Sequence, residues 1–119
     1  MRVFECIEDS HHYYIVSELL AEELYQRLLK KRQLSESEAS NIIEQILLAL
    51  NYMHKKRMVH RDIKLENILM EHHSMADMSI KVTDFGFSKS FDPEQGMKET
   101  LGSPLYMAPE IIESKPYGF

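Results

Sequence analysis

Three polar motifs in fixed order constrain this chain more than any other feature: His60-Arg61-Asp62-Ile63-Lys64-Leu65-Glu66-Asn67, then Asp84-Phe85-Gly86, then Ala108-Pro109-Glu110. Each alone is a weak signal, because loop Asp and Asn residues usually serve as caps or turn formers. In this order and at these spacings the set is strong. Asp62 and Asn67 share one loop, and Asp84 follows 22 residues after Asp62, directly behind the apolar run 80–83. A second apolar run, Ile68–Met70, starts right after Asn67. Paired as an antiparallel hairpin, the two runs bring Asn67 and Asp84 side by side at its base.

The rest of the chain reads as support for these loops. Val3–Glu8 and Tyr13–Ser17 are rich in β-branched and aromatic residues, with a polar turn at 8–11, and predict a hairpin. A short helix is expected over 21–31, with Leu24 and Leu28 one turn apart and Lys30, Lys31 and Arg32 at its negative end. Ser35 and Glu38 form a capping box that opens a long helix over 35–56. Its stripe, Ala39, Ile42, Ile43, Ile46, Leu47, Leu50 and Met53, recurs at three- and four-residue steps and is expected in the core. Residues 71–79 read as a loop, and 86–102 show no sustained period.

Composition narrows the classes. With 44% hydrophobic residues, wholesale disorder is not expected. Net charge is −5, from 14 basic and 19 acidic residues, which argues against a nucleic-acid partner. No apolar run reaches membrane-span length, and Met1-Arg2-Val3-Phe4-Glu5 has no secretory pattern, so no membrane partner is expected. A lone Cys6 suits a reducing compartment, hence a cytoplasmic or nuclear location, and reads as a small buried apolar residue. The pairs His11-His12 and His72-His73 lack cysteine partners and read as solvated surface.

The motif residues suit phosphoryl transfer. The transferred group is polyanionic and needs cations, divalent metals need hard oxygen ligands, and a hydroxyl nucleophile needs a carboxylate beside it. Asp62, Asn67 and Asp84 supply the oxygens, and Lys64 supplies a fixed positive charge.

These motifs resemble the central part of eukaryotic protein serine/threonine kinase domains. Similarity is greatest to the calcium/calmodulin-regulated and calcium-dependent kinases. It extends through Tyr14-Ile15-Val16-Ser17-Glu18-Leu19, Ile80-Lys81-Val82-Thr83-Asp84-Phe85-Gly86-Phe87-Ser88-Lys89, the segment 97–102 and Tyr106-Met107-Ala108-Pro109-Glu110. The resemblance implies an α+β, protein-kinase-like fold, with small-lobe strands over 1–17, a hinge over 18–24 and large-lobe core over 25–119. It implies ATP and Mg2+ as cofactors, and protein substrates phosphorylated on serine or threonine. Asp62 is then the catalytic base, Lys64 steadies the γ-phosphate, Asn67 and Asp84 hold the metal, and His60 is scaffold. Arg61 docks an acidic or phosphorylated group of the activation segment, where Glu99 and Thr100 fall. Ser103 bonds the base and the lysine. Adenine lies against the backbone of Glu18 and Leu20 with Leu69 below it. Ser17 sits at the gatekeeper position, where a small side chain predicts a deep pocket. Glu23 and Glu66 fall where basic substrate motifs are held.

Two departures stand out. The connector Leu20-Ala21-Glu22-Glu23-Leu24 lacks the usual glycines and is one residue short. The family's glycine-rich loop and strand lysine are not among these 119 residues. The expectation is little or no activity for the 119-residue chain alone, with the missing lobe supplied in cis if it is an excerpt. The alternatives are a non-catalytic binding or dominant-negative module and a remnant that does not fold alone. Glu110, whose family counterpart pairs with a later arginine, is expected to stay solvated or to destabilise its surroundings, and the stripe of the long helix to be partly exposed.

Overall fold

The computed structural model describes residues 1–74 and 76–119; Met75, in the 71–79 loop, lies outside the described residues. Strands β1 (Val3–Glu8) and β2 (Tyr13–Ser17) form an antiparallel hairpin with Cys6 opposite Ile15. A link over 18–21 leads to β3 (Glu22–Glu23), then helix α1 (Leu24–Lys31) and helix α2 (Glu36–Lys55). Strand β4 (Met58–Val59) precedes the motif loop, and β5 (Ile68–Met70) pairs with β6 (Ile80–Val82). Strand β7 (Lys89–Ser90) pairs back to β4, and the short helix α3 (Pro109–Ile112) follows near the end.

The β3–β5–β6 sheet centres the molecule. Strand side chains alternate between faces. Ile68, Met70, Ile80 and Val82 therefore enter the core with Leu24, Ile42 and Met78, while Leu69 and its cross-strand partner Lys81 take the other face. β6 is an edge strand, and its outward backbone groups need partners. Gln45 of α2 supplies them, donating to the Met78 carbonyl at 2.9 Å and accepting from the Ile80 amide at 3.0 Å.

The long helix begins where its cap predicts. The Ser35 side chain accepts from the Glu38 amide, and Glu38 returns a bond from the Ser35 amide. The Lys31 ammonium, reinforced by Ser35, holds the Glu38 carboxyl down at about 2. Glu38 thus adds stability above the ordinary glutamate range, and that support is lost as pH falls through its folded value. Replacing Ser35 by alanine is expected to cost about 1 kcal/mol in urea unfolding.

Two expectations are corrected. The helix expected over 21–31 starts only at Leu24, because Glu22 and Glu23 pair with Met70 and Leu69 as a third strand. Cys6 is exposed, because no described element covers the two-stranded hairpin that carries it. The apolar stripe of α2, expected in the core but partly exposed, divides accordingly: Ile42 and Met53 are buried, whereas Ile43 and Leu47 are more than half exposed. α2 packs on β4 and β6 along one side, and no described element covers the other. Glu110 is solvated, as expected.

Candidate active site

The turn Leu65–Asn67 and the β5–β6 hairpin place the site. The Asn67 carbonyl accepts from the Thr83 amide at 2.9 Å and its hydroxyl at 3.2 Å, so Asp84 emerges beside Asn67. The hairpin read from the sequence therefore has the geometry it implied. Asp84 has φ 59° and Arg61 has φ 69°, left-handed conformations that cost energy for side-chain-bearing residues. Both occur where the chain turns into the site.

Three side chains and one backbone amide converge on the Asp62 carboxylate, which is buried. Oδ1 accepts from the Ser103 hydroxyl at 2.9 Å and amide at 3.1 Å. Oδ2 accepts from Asn67 Nδ2 at 2.9 Å and faces Lys64 Nζ at 2.8 Å. Lys64 also donates to Ser103 Oγ at 2.9 Å. Burial pushes the Asp62 carboxyl up, but Lys64, Ser103 and Asn67 outweigh it and hold it below the usual range. In turn Asp62 raises the Lys64 ammonium. Asp62 is thus an anion and Lys64 a cation across the physiological range.

His60 is buried and acts as scaffold. Its Nδ1 accepts from the Asp62 amide at 3.3 Å and its Nε2 meets the Thr83 carbonyl at 3.0 Å, so the ring carries its proton on Nε2. It links the Asp62 loop to the strand before Asp84. Arg61 donates to the Phe87 carbonyl at 2.6 Å and pairs with Glu99 at 3.4 Å. The Lys89 ammonium against Glu99 holds that carboxyl down at about 2.

Asn67 and Asp84 fit a hard divalent cation. Asn67 makes both its bonds to Asp62 from Nδ2, leaving the carboxamide oxygen outside them, and the exposed Asp84 accepts from the Gly86 amide at 3.2 Å. No cluster of three or more His, Cys, Asp or Glu side chains among the described residues holds a metal by itself. A cation held here would complete its shell from phosphate oxygens and water.

The other expected residues lie on β2, the link after it, β3, the Leu65–Asn67 turn and β5. Ser17 ends β2, half-buried, opposite Val3. Glu18 uses its amide on the Arg2 carbonyl, and Ala21 bonds the Met70 carbonyl, leaving the Glu18 carbonyl and the Leu20 peptide outside these ties. Leu69, half-buried, stands between Glu23 and Lys81 across the sheet. Glu66 neighbours β3 through its turn, and its Oε2 is shielded from water without a hydrogen-bond partner. A hollow of about 190 Å³ joins Arg61, Asp62 and Ser103 to Tyr106. A larger cavity of about 430 Å³, between α2 and β6, is mainly apolar and does not include Asp62. Sequence reasoning missed Arg27 and Lys81, each of which has a partner tens of residues away, beyond the reach of any local pattern.

The family profile described as protein kinase domain matches residues 1–119. The chain is 40% identical, over 113 residues and 94% of its length, to calcium-dependent protein kinase 4 of Plasmodium berghei. It is 41% identical over 99% of its length to calcium/calmodulin-dependent protein kinase type 1 of Macrobrachium nipponense. It is 41% identical over 97% of its length to NUAK family SNF1-like kinase 2 of Homo sapiens. It spans 21%, 34% and 18% of those three proteins respectively.

Proposed function

Because this chain belongs to the protein kinase domain family, we propose that it forms the catalytic centre of a serine/threonine protein kinase. Kinases of this family use ATP and Mg2+ and act on proteins. In the reaction, the substrate hydroxyl oxygen forms a bond to the γ-phosphorus as the bond to the ADP oxygen breaks. Asp62 orients that hydroxyl and takes its proton. Lys64 lies against Asp62 and offers its charge to the γ-phosphoryl oxygens. Asn67 and Asp84 would hold Mg2+, which when bound neutralises phosphate charge. Glu18 and Leu20 hold adenine through their backbone, with Ser17 behind it and Leu69 beneath. This assigns 1–17 to a small lobe, 18–24 to the hinge and 25–119 to the large lobe. The lone Cys6 favours the cytoplasm or nucleus.

The convergence of Ser103, Asn67 and Lys64 on the Asp62 carboxylate carries this reading. A loop aspartate that only capped a turn would need no partner from 41 residues downstream. Glu23 and Glu66 would hold basic residues of the substrate through their charge. Glu99 serves as a fixed acidic partner of Arg61 in the activation segment.

The test is transfer of γ-labelled phosphate from Mg-ATP to matched peptides by the polypeptide as its source cell makes it. Labelling of serine and threonine peptides, stronger when arginine precedes the acceptor, is expected. Labelling of tyrosine alone overturns the assignment. A non-catalytic binding module is the second reading, favoured by the exposed face of α2, where Ile43, Leu47, Leu48 and Tyr52 are each more than half exposed. Absence of label on every peptide favours it.

A further inference from the structure

Lys81 has no role in the reaction above, yet its ammonium is tied on two sides. Nζ lies 2.6 Å from Glu18 Oε2 and 3.0 Å from Glu71 Oε1. It stands on β6, on the sheet face away from the core, directly across from Leu69. Glu71 follows β5 and is fixed by its amide to the Ser79 carbonyl at 2.9 Å. Lys81 and Glu71 thus belong to the rigid sheet.

Glu18 belongs to the other side. Its amide bonds the Arg2 carbonyl at 3.0 Å, and its Oε1 accepts from the Arg2 amide, so it moves with the β1–β2 hairpin. That hairpin shares no sheet with the rest of the described residues. It is joined to the sheet through the link 18–21, in which Leu19 is 97% exposed and Ala21 is pinned to Met70. Backbone bonds fasten each end of the link to its own neighbour. The Lys81–Glu18 pair spans from one side to the other. Both side chains are about three-quarters shielded, and the ammonium holds the Glu18 carboxyl below its usual range, so the pair is charged at neutral pH.

We infer that Lys81 is a positioning residue: by bonding Glu18 from the sheet, it fixes the angle of the β1–β2 hairpin relative to the β3–β5–β6 sheet and so the fit of the nucleotide between Glu18 and Leu69. The nucleotide half rests on the kinase reading. The mechanical half does not.

The experiment separates the two. Nitroxide labels go on Cys6, the single cysteine and exposed on β1, and on a cysteine replacing the exposed Asn51 of α2. Pulsed dipolar spectroscopy then reads the hairpin's distance from the helix. The parent chain and Lys81→Arg are expected to give one narrow distribution, Lys81→Met and Glu18→Gln a broad one. Glu71→Gln, which alters only the sheet side, stays narrow. A narrow distribution in Lys81→Met overturns the inference. Mg-ATP titration followed by NMR is expected to show about fivefold weaker binding in Lys81→Met, restored in Lys81→Arg. Equal binding in the parent and Lys81→Met overturns the nucleotide half. Broadened distances with no nucleotide bound to the parent or any variant overturn the nucleotide half and leave the positioning role standing.

Discussion

Replacing Asp62 by asparagine is expected to lower phosphate transfer by about 10³-fold, the scale of a positioned general base, while Mg-ATP binding changes little. The substitution keeps the shape of the side chain and removes its charge and its proton affinity. It also puts an NH2 group where Ser103 donates to one oxygen, or where Asn67 and Lys64 donate to the other. Every neighbour of Asp62 in this cluster is a donor, so an amide faces a like group in either orientation. A Ser103→Ala variant, which removes one hydroxyl and leaves the carboxylate, is the control and is expected to lose far less. The pH profile adds a second readout. Because the folded Asp62 carboxyl lies below the ordinary aspartate range and the Lys64 ammonium above the ordinary lysine range, both keep their charge between. The rate should therefore be flat with respect to these two groups from roughly pH 5 to 10 and fall only as acid protonates Asp62. Transfer surviving in Asp62→Asn within tenfold of the parent would remove Asp62 from the chemistry.

Much of this site was legible because its parts are local. The Ser35–Glu38 box carries the start of α2 in four consecutive residues, and the helix runs where that cap and its basic end place it. The Ile68–Met70 and 80–83 runs flank their motifs directly, so one hairpin was enough to predict that Asn67 and Asp84 meet. What escaped was nonlocal. Ala21, Glu22 and Glu23 have helical composition, but β5 draws their backbone into a sheet, and tertiary pairing overrides propensity. Strand composition implied a buried Cys6, but composition does not say whether a second layer covers the hairpin. Lys89–Ser90 and Met58–Val59 are too short and mixed to read as strands, yet they pair across the whole motif region. Lys81 sits within the 80–83 strand run, which carries no sign of its tie to Glu18, 63 residues away.

Glu22→Ala is expected to destabilise the fold by about 3 kcal/mol, more than Arg27→Met, and the double variant should recover most of the difference. Arg27 is fully buried on α1. Its Nε donates to Glu22 at 2.6 Å, and its two terminal nitrogens donate to the Ser74 and His72 carbonyls at 3.0 and 2.9 Å. Removing Glu22 leaves a guanidinium shut away from water with neutral partners only, which is the costly way to break such a pair. Replacing Arg27 by methionine removes the charge, keeps much of the volume, and leaves Glu22 with Lys30 at 2.5 Å. The ordering of the three variants in urea unfolding is the test, and Arg27→Met proving the worse single change would mean that the carbonyl bonds, not the ion pair, dominate. Acid gives an independent check. The Lys30 ammonium, and after the opposing push of burial the Arg27 guanidinium, hold the Glu22 carboxyl below its usual range. Its contribution is therefore complete above roughly pH 4.5 and is lost as pH falls through the folded value, so the parent should shed more stability on acidification than Glu22→Ala. The same contacts reach the site. Arg27 holds the loop that follows Glu71, α1 packs on the turn that carries Asn67, and Glu71 shares Lys81 with Glu18. A chain loosened at Arg27 should accordingly show faster amide exchange first in that turn and loop, before the capped half of α2.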